Sequence, residues 1–401
     1  MTATLTVDLT DAAFWRRPHE ERAAAFAALR QRSEPVFFAE GRSGKGFYAL
    51  VRHADVVAAS RNPEVFTSGS GVTMPKPARW VRTVFGDSMV NLDDPRHARL
   101  RGIVSRAFTP RVVRKIADDM GGIASSIVDG VVAQRPDDFV ASVAAQLPFR
   151  VICNMMGIPE EERPAIFERV ERSSGHTGGF RIPGQTLRAM ARLQHTIGRI
   201  GQEKRANPTD DLISALVTAD VDGRGLNARE LGAFFNLLLV AGVETTRNAI
   251  AHALHLITVH PDQRELLLAD YEGRVGGFVE ETVRHCSPII QFRRTLSRDH
   301  ELNGHLLREG EDVVLFYNSA NRDETVFKDA DRFDLTRSPN PHVGFGGGGP
   351  HFCLGTSLAR QEMTVLFREL FTRLPEIRSV GEPELVPSNF DNRISRLRFT
   401  Y

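Results

Sequence analysis

Four consecutive glycines running into a lone cysteine constrain this chain more than any other stretch. In Phe345-Gly-Gly-Gly-Gly-Pro-His-Phe-Cys-Leu-Gly355 a loop delivers Cys353 to a predicted helix start. Downstream, Ala359, Met363, Leu366, Leu370 and Leu374 recur at spacings of three and four until Pro375, the periodicity of an amphipathic helix closed by a residue that cannot continue it. Unpaired N–H groups and the positive end of the macrodipole favour a thiolate at a helix start, so Cys353 reads as a nucleophile or as an anionic metal ligand. Four glycines let the backbone run close against a large flat object and adopt positive φ, which a compact catalytic dyad does not require. The loop therefore favours a bulky cofactor.

Charge is balanced at a formal net +1 over 401 residues, so no global electrostatic argument points to nucleic acid or to an anionic membrane surface. The three cysteines, Cys153, Cys286 and Cys353, are far apart and lack C-x-x-C spacing, which indicates neither a disulfide framework nor a zinc site. A reducing cytoplasm is the simplest setting. The opening MTATLTVDLT is no signal sequence, and no run of about 18 apolar residues occurs, so no membrane anchor is expected. Without an internal repeat or a Pro/Ser-rich linker, residues 1–401 are expected to form one large, mainly helical domain with small β regions.

Residues 11–34 are helix-like, and Val36–Ala39 with Gly46–Val51 form a predicted β-hairpin. Residues 68–94 read as a long loop carrying Trp80, Val84 and Phe85. In Asp93-Asp-Pro-Arg-His-Ala-Arg-Leu-Arg101 a helix start sets His97 and Arg101 four apart on one face. With Arg96, Arg99 and Arg106 nearby, this is either a solvated basic helix or a pair of donors for an anion. Helical patterns fill residues 111–206, broken at Gly157-Ile-Pro159 and at Ser173-Ser-Gly-His-Thr-Gly-Gly179, a break that suits a mobile lid.

Asn227 and Glu230 form a capping box that opens a helix-compatible run to His260. Its apolar centre, Leu237-Leu-Leu-Val-Ala-Gly-Val-Glu-Thr-Thr246, contains a glycine that costs about 1 kcal/mol relative to alanine and a carboxylate that costs more unless paired. Functional sites tolerate such costs. Equally, Gly242 can admit a crossing helix and Thr245 can bond back to the carbonyl four residues earlier. In Phe278-Val-Glu-Glu-Thr-Val-Arg-His285, Glu281 and Arg284 can pair. Short strands follow, with a hairpin turn at Asn303-Gly304, a buried strand at Val313–Phe316, and a last hairpin around Pro387-Ser-Asn-Phe390.

The order of these motifs resembles the cytochrome P-450 family of haem-thiolate monooxygenases, in its soluble bacterial form. Phe345–Gly355 resembles the family's cysteine-ligand loop, Ala241-Gly-Val-Glu-Thr-Thr246 its oxygen-activation motif, and Glu281-x-x-Arg284 its ion pair. The resemblance implies haem b between the long central helix and the cysteine-loop helix, with Cys353 as the axial thiolate. It implies propionate contacts from His97, Arg101, Arg294 and His351, with Phe345, Gly355 and Ala241 also against the cofactor. Glu244 and Thr245 take the family's acid and alcohol places, and Gly242 leaves room for dioxygen. Glu281, Arg284 and Arg332 become a structural triad. Phe345 to Cys353 is eight steps where the common loop has seven.

The implied activity is insertion of one oxygen atom from O2 into an apolar substrate: a lipid, steroid, terpenoid or polyketide-like compound. Electrons would come from a ferredoxin or flavodoxin-type donor with its reductase, docking near Arg106, Arg111, Arg114 and Arg360, since no dinucleotide fingerprint or fused reductase is present. The chain is expected to act as a cytoplasmic monomer. Expected pocket walls are Trp80, Val84, Phe85, Phe180, Val240, Ile289, Ile290, Phe292 and Phe390, each of which can equally be core. A peroxide-driven haem peroxygenase and a non-catalytic haem ligand sensor are the alternatives, and without the resemblance a cysteine hydrolase using Cys353 and His351 stays open.

Overall fold

The structure, a computed structural model, describes residues 7–41, 44–76, 88–107, 110–174, 184–219 and 226–401. Its contacts divide the chain into two compact units. One comprises Met1–Pro77, His260–Cys353 and Leu385–Arg393; the other comprises Ala78–Val259, Leu354–Glu384 and Ile394–Tyr401. Among the described residues no helix is long and apolar enough to cross a membrane.

The first unit holds a five-stranded sheet in the order Val36–Ala39, Gly46–Leu50, Asp312–Phe316, Gln291–Leu296, Phe66–Thr67. The expected N-terminal hairpin forms, with Phe38 opposite Phe47, and its second strand pairs in parallel with the buried strand, Ala49 beside Val314. Alternation along Asp312–Phe316 does not apply, because Val313 to Phe316 are all buried, as a strand covered on both faces requires. One face carries an aromatic core in which Phe316 lies 5.1 Å from Phe26 and 6.4 Å from Trp15, ring centre to ring centre. Asn303 and Gly304 turn the small hairpin His300–Leu302/His305–Leu307, both at positive φ as a two-residue turn demands.

Glu281 and Arg284 lie one turn apart on the helix Tyr271–Cys286, both inaccessible to solvent. Arg284 donates to Glu281 from Nη2 (2.7 Å) and Nε (2.8 Å), and to the carbonyls of Asn321, Ala330 and Arg332. Glu281 also accepts from the backbone N–H of Asp334, from Arg337 Nε at 3.2 Å and from Asn340 Nδ2. The expected triad therefore needs correction. The second guanidinium on Glu281 belongs to Arg337, whereas the Arg332 side chain is exposed and that residue contributes its backbone carbonyl. Residue spacing alone cannot tell which of two nearby arginines turns inward.

The second unit is helical. Asn227 Oδ1 accepts from Glu230 N (2.9 Å) and Glu230 Oε2 from Asn227 N (3.0 Å), the reciprocal capping box expected there. The run it opens proceeds as the helix Ala228–Leu238, a π-helical segment Leu239–Glu244 and the helix Thr245–Val259. Gly157, at φ +69°, ends the helix Gln146–Met156 where the break was expected. The helix Thr356–Arg373 follows the cysteine loop and stops at Leu374, before Pro375. The tail pairs back on itself, Phe399 opposite Ser379.

Glu362 sits on the helix Thr356–Arg373, wholly buried and hydrogen-bonded to the Thr246 side chain. Burial pushes its carboxyl up to about 8, against the Thr246 bond, so the neutral acid is the form present at pH 7. Such a group stabilises the fold fully below its unfolded pKa, near 4.5, and this contribution is lost as pH rises through about 8.

Two outcomes follow for stability. Removing one partner of the buried pair, as in Arg284→Ala, is expected to cost roughly 3–5 kcal/mol, while Arg337→Ala costs about 1.5–3 kcal/mol and Arg332→Ala stays within about 0.5 kcal/mol, read by denaturant unfolding. Equal losses for Arg332 and Arg337 would overturn the reassignment. Glu362→Gln is expected to abolish the loss of stability that the wild type shows between about pH 4.5 and about pH 8, read as the difference in unfolding midpoint across that range.

Candidate active site

The cysteine loop belongs to the first unit. Cys353 N donates to Phe345 O (2.9 Å), Gly346 N to Val343 O (2.9 Å) and Phe352 N to Gly349 O (3.2 Å), so backbone bonds close the loop, with a tight turn at Gly349–Phe352 inside it. A Cβ on Gly347 would lie 2.5 Å from Ser60 Oγ, and one on Gly349, at φ +75°, would lie 2.1 Å from Ser60 O. These glycines are thus required by the end of the helix His53–Arg61, which the loop backbone closely approaches. Burial pushes the thiols of Cys153 and Cys286 up to about 12, leaving them as packed, unreactive groups. Cys353 alone among the three is exposed. It lies two residues before Gly355, the cap of the helix Thr356–Arg373, and so just outside the helix.

Phe345 is half-buried beside His342, 5.7 Å between ring centres. His351 Nε2 is 3.2 Å from Ser68 Oγ. Arg294 is buried, donates from Nη1 to Arg293 O (2.8 Å) and lies over the Phe292 ring. Of the expected pocket walls in this unit, Ile290 is wholly buried in the aromatic core with Val314 and Phe316, which makes it core and no wall. Ile289 and Phe292 are partly buried, and Phe292 meets Phe390 edge-on at 5.7 Å. Trp80, Val84, Phe85 and Phe180 lie outside the described residues, as do the side chains of Val240, Arg106, Arg111 and Arg114.

In the second unit, the motif expected for oxygen activation falls on the π-helical segment, a widened turn that often marks functional helices. Thr245 Oγ1 donates to Ala241 O at 2.5 Å, and Glu244, buried, pairs with Arg247 at 2.8 Å. A Cβ on Gly242 would lie 2.9 Å from Ile152 Cδ1, so the glycine admits the crossing helix Gln146–Met156. His97 is buried on the helix Arg96–Ala107, which excludes the solvated reading for that residue, while Arg96 and Arg99 are exposed. Its Nδ1 lies 3.3 Å from Asp94, and burial holds the imidazole below the usual histidine range. Arg101, one turn on, is half-buried.

Sequence reasoning missed Arg247, Arg337 and Glu362. The signal for Glu362 was available: it falls three residues after Ala359 and four before Leu366, a carboxylate on the apolar stripe. Asn248 was also passed over, and its buried amide has neither O nor N paired with any described residue.

Among the described residues no group of three or more His, Cys, Asp or Glu side chains could hold a metal. The exposed Cys353 thiol would supply the sulfur donor that haem iron takes from a protein, so the residue present fits haem. A sequence model described as Cytochrome P450 matches residues 185–375. The chain is 41% identical to a methyl-branched lipid omega-hydroxylase of Mycobacterium tuberculosis, over 98% of this chain and 94% of the relative. It is 34% identical to a steroid C26-monooxygenase of Mycolicibacterium smegmatis, over 96% and 91%. A solved Mycobacterium marinum cytochrome P450 in complex with pseudoionone is 41% identical and matches with a TM-score of 0.92 over 99% of this chain and 98% of that one. Similarity running through both units at this level has one reading: the chain belongs to the cytochrome P450 family, as a monooxygenase carrying haem b on an axial cysteine thiolate.

Proposed function

We propose that residues 1–401 serve as one haem domain that hydroxylates the terminal methyl carbon of a branched apolar chain, a lipid or steroid side chain, with electrons from a separate ferredoxin or flavodoxin-type donor. The observation that carries the oxygenase reading is the Thr245 hydroxyl: its one proton is given to Ala241 O, so its lone pairs are left to accept. The substrate class rests on two relatives named for an omega-hydroxylase and a C26-monooxygenase.

Cys353 is the proposed axial ligand, shielded on one side by Phe345, with Gly355 and Ala241 against the cofactor. His97, Arg101, Arg294 and His351 are the proposed propionate donors, the arginines offering a planar fork to a carboxylate. When bound, haem supplies the activation of dioxygen and the transfer of one oxygen atom to carbon. The chain's own part is to hold substrate, exclude water and deliver protons. Thr245, accepting at Oγ1, orients a donor at the helix surface. Glu244 hands on a proton only by leaving Arg247, so the ion pair sets when the acid is available. Asn248, four residues after Glu244, has both buried amide atoms unpaired among the described residues and is the proposed partner for a water beside the acid. Arg106, Arg111, Arg114 and Arg360 are the proposed docking contacts for the electron donor.

Thr245→Ala is expected to lower product formed per electron pair consumed by about tenfold or more while oxygen uptake continues; unchanged coupling removes Thr245 from its role. Cys353→Ala should lose the red-shifted Soret band of the reduced carbon monoxide complex. With branched fatty acids and sterol side chains as substrates, mass spectrometry should find the hydroxyl on the terminal carbon, and mainly in-chain products would sink the regiochemical reading.

A further inference from the structure

A face of the helix His19–Arg30 meets the short helix Tyr317–Ala320 and the turn after it, within the first unit, around a cavity of about 30 Å³. Its lining includes His19, Arg22, Arg30, His285 and Arg322. The volume suffices for more than one water-sized group. Nothing in the proposed chemistry uses these residues.

The arginines are answered unequally. Arg30 is neutralised by Glu324, with Nη2 at 2.6 Å from Oε1 and Nε at 3.0 Å from Oε2, and its Nη1 meets Ser319 Oγ. Arg322 is buried, gives Nη1 to His285 O, and keeps Nε 3.2 Å from the exposed Asp331 carboxylate, outside hydrogen-bond geometry. Burial pushes the Arg322 guanidinium down to about 10, with Asp331 opposing. Arg22 has a buried Nε without a partner among the described residues; burial lowers its guanidinium and nothing opposes. His285 is driven well below the usual histidine range, by burial first and then by Arg322 and Arg284, so it adds no charge. Asn318 also leaves its buried amide oxygen unpartnered, and a flip of that amide turns the position into a donor.

A partly buried guanidinium without an acid, as at Arg22, or with only an exposed acid beside its unpaired Nε, as at Arg322, gains from an anion that joins it. Arg22 and Arg322 line the same small cavity, and a tetrahedral oxyanion has oxygens enough to accept from both. We propose that this cavity is an anion site that takes a phosphate-sized oxyanion between Arg22 and Arg322, fastening the N-terminal helix to the chain that follows Tyr317.

Thermal unfolding of the holoenzyme in inorganic phosphate, against sodium chloride at matched ionic strength, tests this. A saturable rise of about 2 °C or more is expected in phosphate. Arg22→Gln should lose it, and Arg16→Gln, which removes the same charge from an exposed position, should keep it. Exclusion of phosphate from protein surface raises all variants alike, so a rise retained in Arg22→Gln, or equalled by chloride, overturns the site. Glycerol phosphate distinguishes the source: a larger rise than with inorganic phosphate points to a phosphomonoester, an equal or smaller one to the free ion. Should Arg22→Gln unfold, phosphorus NMR of wild type decides, and phosphate lines left unbroadened by the protein refute the proposal.

Discussion

The buried carboxylate of Glu281 is the point on which the cysteine-bearing unit depends. Five N–H donors reach it: two from Arg284, one from Arg337, the Asp334 backbone and Asn340. Arg284 extends the network by donating to Asn321 O, and Asn321 in turn accepts from Val343 N through Oδ1 (2.7 Å) and donates to Ser287 Oγ. Val343 O then receives Gly346 N, the first bond of the cysteine loop. Gly344 locks this step, since a Cβ there would lie 2.6 Å from Val283 Cγ1 and 2.9 Å from Val283 O. A continuous path therefore runs from the ion pair to the backbone that holds Cys353. Buried pairs add little net stability over a well-packed apolar alternative. What this one provides is a unique conformation for an irregular segment with no regular hydrogen-bond ladder of its own.

The long helix solves a different problem, that of carrying polar chemistry through an apolar interior. Its π-helical segment interrupts the regular ladder just where Glu244 and Thr245 occur. Thr245 answers the Ala241 carbonyl with its hydroxyl, and Arg247 meets the Glu244 carboxylate on the same face. Each departure from helical regularity is thus compensated locally. Gly242 serves packing in the same way: its missing side chain leaves the space that Ile152 enters.

Regular elements were legible in the sequence because their signals are local. The Asn227–Glu230 box, the Asn303-Gly304 turn and the buried run Val313–Phe316 each state their structure within a few residues. Cys353, Glu281 and Arg284 were legible as a motif. Arg337 was not, because choosing it over Arg332 depends on how an irregular segment folds across Glu281. Ile290 and Ile289 are adjacent and chemically identical, and only strand facing places the first in the aromatic core. The glycine run was legible as a place of close backbone approach, but the helix end at Ser60 that it meets was not, since sequence shows that backbone must approach something and not what it approaches.

Two wholly buried glutamates in one chain show how surroundings set the role of a side chain. Glu281 is enclosed by guanidinium, amide and backbone N–H groups. Glu362 is bonded to a threonine hydroxyl and is pushed up to about 8, so it serves as a neutral acid. Its partner Thr246 directly follows Thr245, and its own helix is the one that begins just after Cys353. The bond thus joins the helix leaving the thiol to the helix bearing the proposed proton-handling residues. Ionising Glu362 would place an uncompensated charge at that junction and weaken the packing of both helices. The neutrality of a single carboxyl is therefore part of what keeps the two helices in register, a dependence that the pH response of stability expresses directly.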